Sequence, residues 1–473
     1  MPARPCLVQL CLLILLSAIL GASPCRADDR PNIVFILIDD LGWTDLGFMG
    51  SDFYQTPNID RLASQGMTFT NAYMCAANCA PSRAAIMSGQ YAPRTGVYTV
   101  GSPDRGKTEN RKLLTVPNRM TLPDETRTIA DVLSAAGYAT AFIGKWHLGS
   151  GPTNSPTARG FDINIAGNNA GHPKSYFSPY KNKDLPDGPQ GEYLTTRLTD
   201  EAIGYVTQAR HPFYLQLSYY SVHTPIQPEP DRLNRYKNRK PGTNHDNPRY
   251  AAMIDAVDEN VGRLVQTIND LNLAQNTLII FTSDNGGHGQ YTSQAPLRGS
   301  KGMFYEGGIR VPLIFRWPAR IEPASSTDTP VIGVDFFPTL LAAADAPPPE
   351  SHTLDGVNLL PLLEHKGTIE RDALYWHFPA YLEAYRGMSP PWRTTPVSVI
   401  RKGRYKLLEF LETGLLELYD LDADPGEVHD LADTMPSVRD RLYQHLSRWR
   451  TEIAAPVLTE LNPEYRPPSD NDD

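Results

Sequence analysis

The sequence predicts an α/β fold, a large and mainly parallel sheet sandwiched by helices, with a smaller C-terminal α+β subdomain. Short apolar runs rich in β-branched and aromatic residues alternate with stretches whose apolar residues recur at three and four. That is the pattern of strands buried on both faces and helices that each bury one face. The chain, at 473 residues, is longer than one average domain. Past a proline-rich stretch the alternation gives way to short strands in succession.

Strands are predicted at 32–38, 138–143, 213–218, 277–281 and 311–315, and helices at 58–64, 128–136, 193–208, 250–273 and 335–344. The segment 345–360, which carries Pro347-Pro348-Pro349, reads as the connection to the smaller unit. There, 397–400, 405–408 and 415–419 read as strands and 437–453 as a helix. The resulting division is a signal peptide at 1–27, a catalytic domain at 28–345, a C-terminal subdomain at 346–466 with a small antiparallel sheet and a helix, and an acidic tail at 467–473. No internal repeat is present.

The signal peptide is read from Arg4, the apolar run from Leu7 to Leu20, and small residues ending at Cys25-Arg26-Ala27, with cleavage after Ala27. Gln9 and Ser17 interrupt the run, which falls short of the ~20 apolar residues of a span. Pro24 before Cys25 argues against a lipoprotein. The expectation is a periplasmic or secreted protein with no stable membrane anchor. Export leaves only Cys75 and Cys79 of the five cysteines, too few for a disulfide framework. Losing Arg4 and Arg26 takes the formal charge from −9 to −11, which argues against nucleic acid as a partner. An anionic substrate then needs a local cluster of cations.

Each predicted buried strand is followed by polar residues: Asp39 and Asp40 after the first, Lys145 and His147 after the second, His223 soon after the third, Asp284 and Asn285 after the fourth. Ligands of open α/β sheets bind beyond the carboxyl ends of strands, so four segments should meet at one edge. Asp39, Asp40, Asp284 and Asn285 offer three carboxylates and an amide oxygen, a hard set that suits calcium or magnesium. Taken singly, either pair could equally close a turn or cap a helix. Lys145 and His147 are two apart and point the same way if the strand stays extended past its end.

Cys79-Ala80-Pro81-Ser82-Arg83, continuing to Gly89, is the strongest local motif, although on its own it could be a helix entry with an early proline. The sequence here resembles the type I, formylglycine-dependent sulfatases of the alkaline phosphatase superfamily, whose modification signature is Cys-x-Pro-x-Arg at the start of a helix. The resemblance extends through Gly144-Lys145-Trp146-His147-Leu148-Gly149, Val222-His223-Thr224-Pro225, Ser283-Asp284-Asn285-Gly286, Arg298-Gly299-Ser300-Lys301-Gly302 and Tyr305 to Pro312. It covers most of the mature chain.

The resemblance implies an alkaline phosphatase-like fold and a sulfatase acting through a formylglycine made from Cys79 by a formylglycine-generating enzyme. It implies a bound calcium in preference to magnesium, held by Asp39, Asp40, Asp284, Asn285 and the modified residue 79. Arg83 would hold the formylglycine hydrate, while Lys145, His223 and Lys301 would neutralise the sulfate and the departing oxygen. Asp284 would be the base for attack, and His147 would remove the second hydroxyl proton so that sulfate is expelled. Loops 167–180 and 191–194 resemble those of bacterial carbohydrate sulfatases. The expected substrate is therefore a sulfated poly- or oligosaccharide carrying galactose or N-acetylgalactosamine sulfate, 4-O in position, with His172, Lys174, Tyr176 and Arg310 as substrate-binding residues. Two other readings remain open at this point: a phosphonate or phosphodiester hydrolase of the same superfamily, and a glycan-binding relative without turnover.

Overall fold

The computed structural model describes residues 30–210, 212–385 and 391–467. The predicted signal peptide and residues 468–473 of the predicted tail lie outside the described residues. Among the described residues no helix is long and apolar enough to cross a membrane.

The first ten strands are β1 (Asn32–Ile38), β2 (Met67–Phe69), β3 (Ala72–Tyr73), β4 (Ala139–Gly144), β5 (Ile163–Ile165), β6 (Phe213–Ser218), β7 (Thr277–Ser283), β8 (Leu313–Arg316), β9 (Ser325–Thr327) and β10 (Val331–Ile332). Eight form one sheet in the order β5-β4-β6-β1-β7-β8-β2-β9, and β3 pairs with β10. The run from β5 to β7 is parallel. The strand expected at 311–315 instead begins at Leu313, after Pro312, which has no N–H to give a ladder, and it runs antiparallel to β7.

Along β1 successive side chains alternate between two cores, as a strand's period of two requires. Val34, Ile36 and Ile38 pack with helices α1 (Pro57–Ser64), α4 (Leu194–Gln208) and α5 (Pro248–Asp270). Ile33, Phe35 and Leu37 pack on the other face with α2 (Cys79–Ser88), α3 (Ile129–Ala135) and α6 (Phe336–Ala343). All seven residues of β1 are buried, which is why the strand reads as an apolar run from Ile33 to Ile38. Helix α5 starts two residues before its predicted start: Pro248 occupies its first position, and the Asn247 side chain accepts from the amides of Arg249 and Tyr250.

Residues of the predicted connection, Ala346, Leu359 and Leu360, pack into the α2, α3 and α6 core, so that core extends beyond the proline-rich stretch. The chain continues through β11 (Leu374–Phe378), β12 (Leu382–Glu383), β13 (Trp392–Thr394), β14 (Val397–Lys402), β15 (Tyr405–Phe410), β16 (Leu415–Asp420) and α7 (Pro436–Glu452). Strands β11, β14, β15 and β16 form an antiparallel sheet. β11, absent from the expected elements, pairs with β14 at its edge.

The second sheet meets the first body over a third core that includes Cys75, Ala77, Ala85 and Trp376, and Trp376 donates its indole N–H to the Met74 carbonyl. Beside that core Lys406, fully buried, lies 2.9 Å from Glu306 and 2.8 Å from Glu427. Tyr73 donates to the other Glu306 oxygen at 2.6 Å. Burial raises the Glu427 carboxyl to about 7, with Lys406 opposing the rise and Glu306 adding to it. Removing the one ammonium that serves both carboxylates leaves buried charge uncompensated. Lys406→Met is therefore expected to cost about 3–5 kcal/mol, read as a lower denaturant midpoint, with the adjacent Arg401 unable to replace it because it is committed to Tyr73.

Candidate active site

Parallel register explains how distant residues come together. Leu37 of β1 lies opposite Ser218 of β6, Ile38 opposite Ser283 of β7, and Gly144 of β4 opposite Ser218. The chains that leave these strands are then stitched by backbone bonds: Lys145 N–H to Ser218 O, Asp39 N–H to Ser221 O, and Asp284 N–H to Ile38 O. Asp39, Lys145 and Asp284 thus emerge side by side at the carboxyl edge of the sheet.

Asp39, Asp40 and Asp284 are buried, and each brings a carboxylate oxygen within 4.8 Å of the others. Burial raises the Asp39 carboxyl well above its usual range; Lys145 opposes this, while Asp284 and Asp40 push it further up. Burial acts on Asp40 in the same direction, but Lys301, His223 and Lys145 more than offset it and hold that carboxyl low. Lys301 Nζ lies 2.6 and 2.7 Å from the two Asp40 oxygens. Asp40 has φ +63°, a conformation that aspartate tolerates better than most residues. It is braced from behind by Tyr250, whose hydroxyl is 2.9 Å from both the Asp40 carbonyl and the Asp45 carboxylate.

The residues fit a divalent cation. The donors are oxygens of the type that calcium and magnesium prefer. Asp39 Oδ1 and Asn285 Oδ1 are buried without a hydrogen-bond partner, a state that carries a desolvation cost unless a cation or donor meets them. Asn285 turns its amide N–H to Asp40 Oδ1 at 2.8 Å, which leaves its carbonyl oxygen free to coordinate.

Cys79 is the first residue of α2 and is 2 % exposed. Its Sγ, an Asp39 oxygen and a His223 ring nitrogen lie within 4.8 Å of one another. Burial raises the thiol pKa despite the opposing influence of Lys145 and Lys301, so the residue as encoded is not an activated thiolate. One turn along, Arg83 Nε donates to Asp284 Oδ2 at 2.9 Å and Nη1 to the Lys145 carbonyl at 2.6 Å. Lys145 Nζ reaches Asp39 Oδ2 at 2.6 Å.

The two histidines are held differently. His223 Nδ1 meets the Thr224 carbonyl at 2.8 Å, while Nε2 lies 3.6 Å from Asp40 Oδ2. His147 leaves the extended conformation, with φ +61°, so it does not share the strand direction with Lys145 as the spacing suggested. Its amide donates to the Asn168 carbonyl at 2.9 Å, and its buried Nδ1 has no hydrogen-bond partner. Burial lowers the His147 pKa well below the usual imidazole range, and the cations Lys145, Arg83 and Lys301 lower it further. Gly171 lets the overlying loop approach: a Cβ there would come within 2.7 Å of the His147 ring.

Two of the four predicted substrate-binding residues require correction. Tyr176 is fully buried, and its hydroxyl lies 2.6 Å from the Tyr220 carbonyl and 2.8 Å from the His223 carbonyl, so it supports the His223 backbone and has no face for a ligand. Arg310 is tied to the Thr70 carbonyl at 2.8 Å, to Glu306 at 3.5 Å, and over the Trp43 ring. Its contacts belong to the packing beside β3. His172 and Lys174 are exposed, and the His172 ring lies nearly parallel to that of His223 with centroids 6.1 Å apart.

Sequence reasoning missed a second wall. His288 packs against Tyr385 with ring centroids 4.4 Å apart and the planes tilted by 38°, Arg393 covers the same tyrosine at 4.3 Å, and Tyr385 donates to the Lys301 carbonyl at 3.0 Å. Burial lowers the His288 pKa to about 4, with Asp40 opposing and Lys301 and Arg393 contributing. His288 could have been suspected from its place after Asn285-Gly286-Gly287; Tyr385 and Arg393 carry no such signal. A larger cavity of about 580 Å³, lined by Thr140, Ile163, Tyr205 and Arg210, lies beside β5 and the end of α4. It gathers no comparable set of catalytic groups.

Comparison with known proteins is consistent with this geometry. The family described as Sulfatase matches residues 31–346, and the one described as N-sulphoglucosamine sulphohydrolase, C-terminal, matches residues 299–452. A sulfatase of Formosa agariphila is 34% identical over 502 residues, covering 90% of this chain and 89% of that protein. The N-acetylgalactosamine-6-sulfatase of Homo sapiens is 32% identical, covering 78% and 72%. The crystal structure of Ps i-CgsB in complex with k-i-k-neocarrahexaose superposes with a TM-score of 0.75 at 30% identity, covering 89% of this chain and 92% of that one.

Proposed function

Because this chain belongs to the sulfatase family and hydrolyses sulfate esters, we propose that it does so with a formylglycine derived from Cys79, beside a divalent cation held by Asp39, Asp40, Asp284 and Asn285. The observation that carries this reading is Cys79 Sγ lying among the Asp39 carboxylate and the His223 ring at the first turn of α2. A formylglycine at residue 79 would supply a hydrated aldehyde whose hydroxyl could serve as the nucleophile toward sulfur. A divalent cation in this oxygen set, calcium being the ion expected, would supply Lewis-acid charge at the reacting centre.

The chain's own residues then divide the work. Arg83 orients the hydrate from one turn along the helix while its pairing with Asp284 fixes the guanidinium. Asp284 accepts the proton of the attacking hydroxyl. Lys145 and Lys301 neutralise charge on the sulfate, and His223, as the imidazolium, gives its Nε2 proton to the departing oxygen while its Nδ1–H stays on the Thr224 carbonyl. His147, kept neutral by its surroundings, takes the proton of the second hydroxyl through a ring nitrogen.

The proposed substrate is a sulfated glycan with galactose or N-acetylgalactosamine units. The sequence likeness of loops 167–180 and 191–194 to carbohydrate sulfatases supports it, as does the relative named for N-acetylgalactosamine sulfate. The 4-O position is tested by turnover of matched 4-O- and 6-O-sulfated N-acetylgalactosamine; faster loss of the 6-O group would reverse the assignment. The apolar leader at 1–27 supports export to the periplasm or beyond, and the motif Cys79-Ala80-Pro81-Ser82-Arg83 supports maturation by a formylglycine-generating enzyme.

The mass of the peptide containing Cys79, from a modification-competent host, is expected to show formylglycine and its hydrate. Cysteine persisting in full there would leave the glycan-binding reading ahead. Stripping divalent ions with a chelator is expected to lower turnover by on the order of 10²–10³, the scale of losing one charge at the reacting centre. Calcium should restore it more fully than magnesium.

A further inference from the structure

We propose that this protein has an anion subsite next to the reactive sulfate, formed by Lys174, Lys181 and Lys183, which binds a second sulfate or carboxylate on a neighbouring unit of the same glycan chain. The inference rests on the glycan reading above and narrows it to polyanionic chains of at least two sugars.

The three lysines line one cavity of about 260 Å³, together with His172, over a floor that includes Asn168 and Tyr220. Most of this protein's cations near the site are spoken for: Lys145, Lys301 and Arg83 are each paired with a carboxylate. Among the described residues Lys174, Lys181 and Lys183 have no acid within ion-pair distance and no hydrogen-bond acceptor for their ammoniums, and no carboxylate lines the cavity. Three uncompensated cations around one concavity, in a chain of net charge −9, raise the local potential where an anion can use it.

The loop is built to hold them there. Asn182, between two of the lysines, turns inward: it accepts from Asn168 at 2.8 Å and donates to the Ala166 carbonyl at 3.1 Å. Lys181 adopts φ +56°, a left-handed conformation that is unfavourable for a non-glycine residue, and so must be held by its neighbours. With Asn182 anchored, Lys181 and Lys183 are left at the cavity.

The cavity is also joined to the site. Asn168 accepts the His147 amide proton on its other side, and His172, on the cavity rim, stacks against His223. A chain whose reactive sulfate meets His223 therefore has its next unit facing the lysines. The volume lies just under the ~300 Å³ at which whole-ligand pockets begin, a size for one substituent or part of one ring.

The test uses the full-length, converted enzyme with a disulfated disaccharide, a disaccharide carrying one sulfate and one uronate carboxylate, and a monosulfated aryl ester. In the double variant Lys181→Ala/Lys183→Ala, KM for the doubly charged disaccharides is expected to rise about tenfold, the equivalent of one charge-assisted contact. Its kcat should stay within about twofold, and the dependence of kcat/KM on salt should flatten. Lys181→Arg/Lys183→Arg should retain the wild-type KM, which separates charge from folding. Preference between the two disaccharides identifies sulfate or carboxylate as the anion.

Equal KM rises for the aryl ester and the disaccharides, or no rise, would overturn the subsite. Calorimetry on Cys79→Ala protein reads binding without turnover. A disulfated ligand held more tightly than its monosulfated counterpart, with the difference lost in the lysine variant, supports the subsite even if the catalytic reading fails.

Discussion

Cys79→Ala is expected to lower kcat for any sulfate ester by about 10⁴–10⁶, the scale seen when a covalent nucleophile is removed. The side chain is almost wholly enclosed, so no outside nucleophile replaces it easily. Cys79→Ser is the more telling variant. Its single hydroxyl can attack sulfur and release the alcohol, transferring SO₃ to Oγ, but it has no second hydroxyl whose deprotonation would expel sulfate. One equivalent of alcohol should appear, turnover should stop, and the peptide containing residue 79 should gain the mass of one SO₃. Steady multiple turnover by the serine protein would instead mean that water performs the second step, and the elimination assigned to His147 would be wrong.

Much of this site could be read in the sequence because it sits where buried strands end. β1 and β6 are found at their predicted bounds, 32–38 and 213–218, since strands buried on both faces show as short runs dominated by apolar residues, even though β6 carries the buried Gln216 and Ser218. Once those ends are known, parallel pairing carries Asp39, Lys145 and Asp284 to one edge whatever the loops do. Side-chain direction in loops is another matter. Tyr176 and Arg310 look like ligand contacts in a sequence, yet one is turned into the protein to hold the His223 backbone and the other is spent on Thr70 and Glu306.

Long-range partners were equally hidden. Nothing local says that Tyr250, in the first turn of α5, closes against the Asp40 carbonyl and Asp45. Nor does any motif mark Tyr385, which comes from the C-terminal region to stand against His288. These contacts depend on how helices and sheets dock, and single-sequence periodicity carries no information about that.

The second large effect is expected at Lys145. The ammonium is fully buried and 2.6 Å from Asp39, whose carboxyl is already driven up by burial and by Asp284 and Asp40. Lys145→Ala therefore does two things that can be told apart. It takes from Asp39 its nearest cation and leaves only Arg83 Nη2 at 3.9 Å, which lowers stability by about 3–5 kcal/mol, as for a broken buried pair. It also removes positive charge from the sulfate, which should lower kcat/KM by about 10²–10³. Saturating calcium gives Asp39 a new partner, so the unfolding midpoint of the variant should recover with calcium. The loss in kcat/KM should not, because the missing charge lies on the substrate side. Recovery of both would make Lys145 a structural counter-ion only, and would leave Lys301 and His223 to neutralise the sulfate alone.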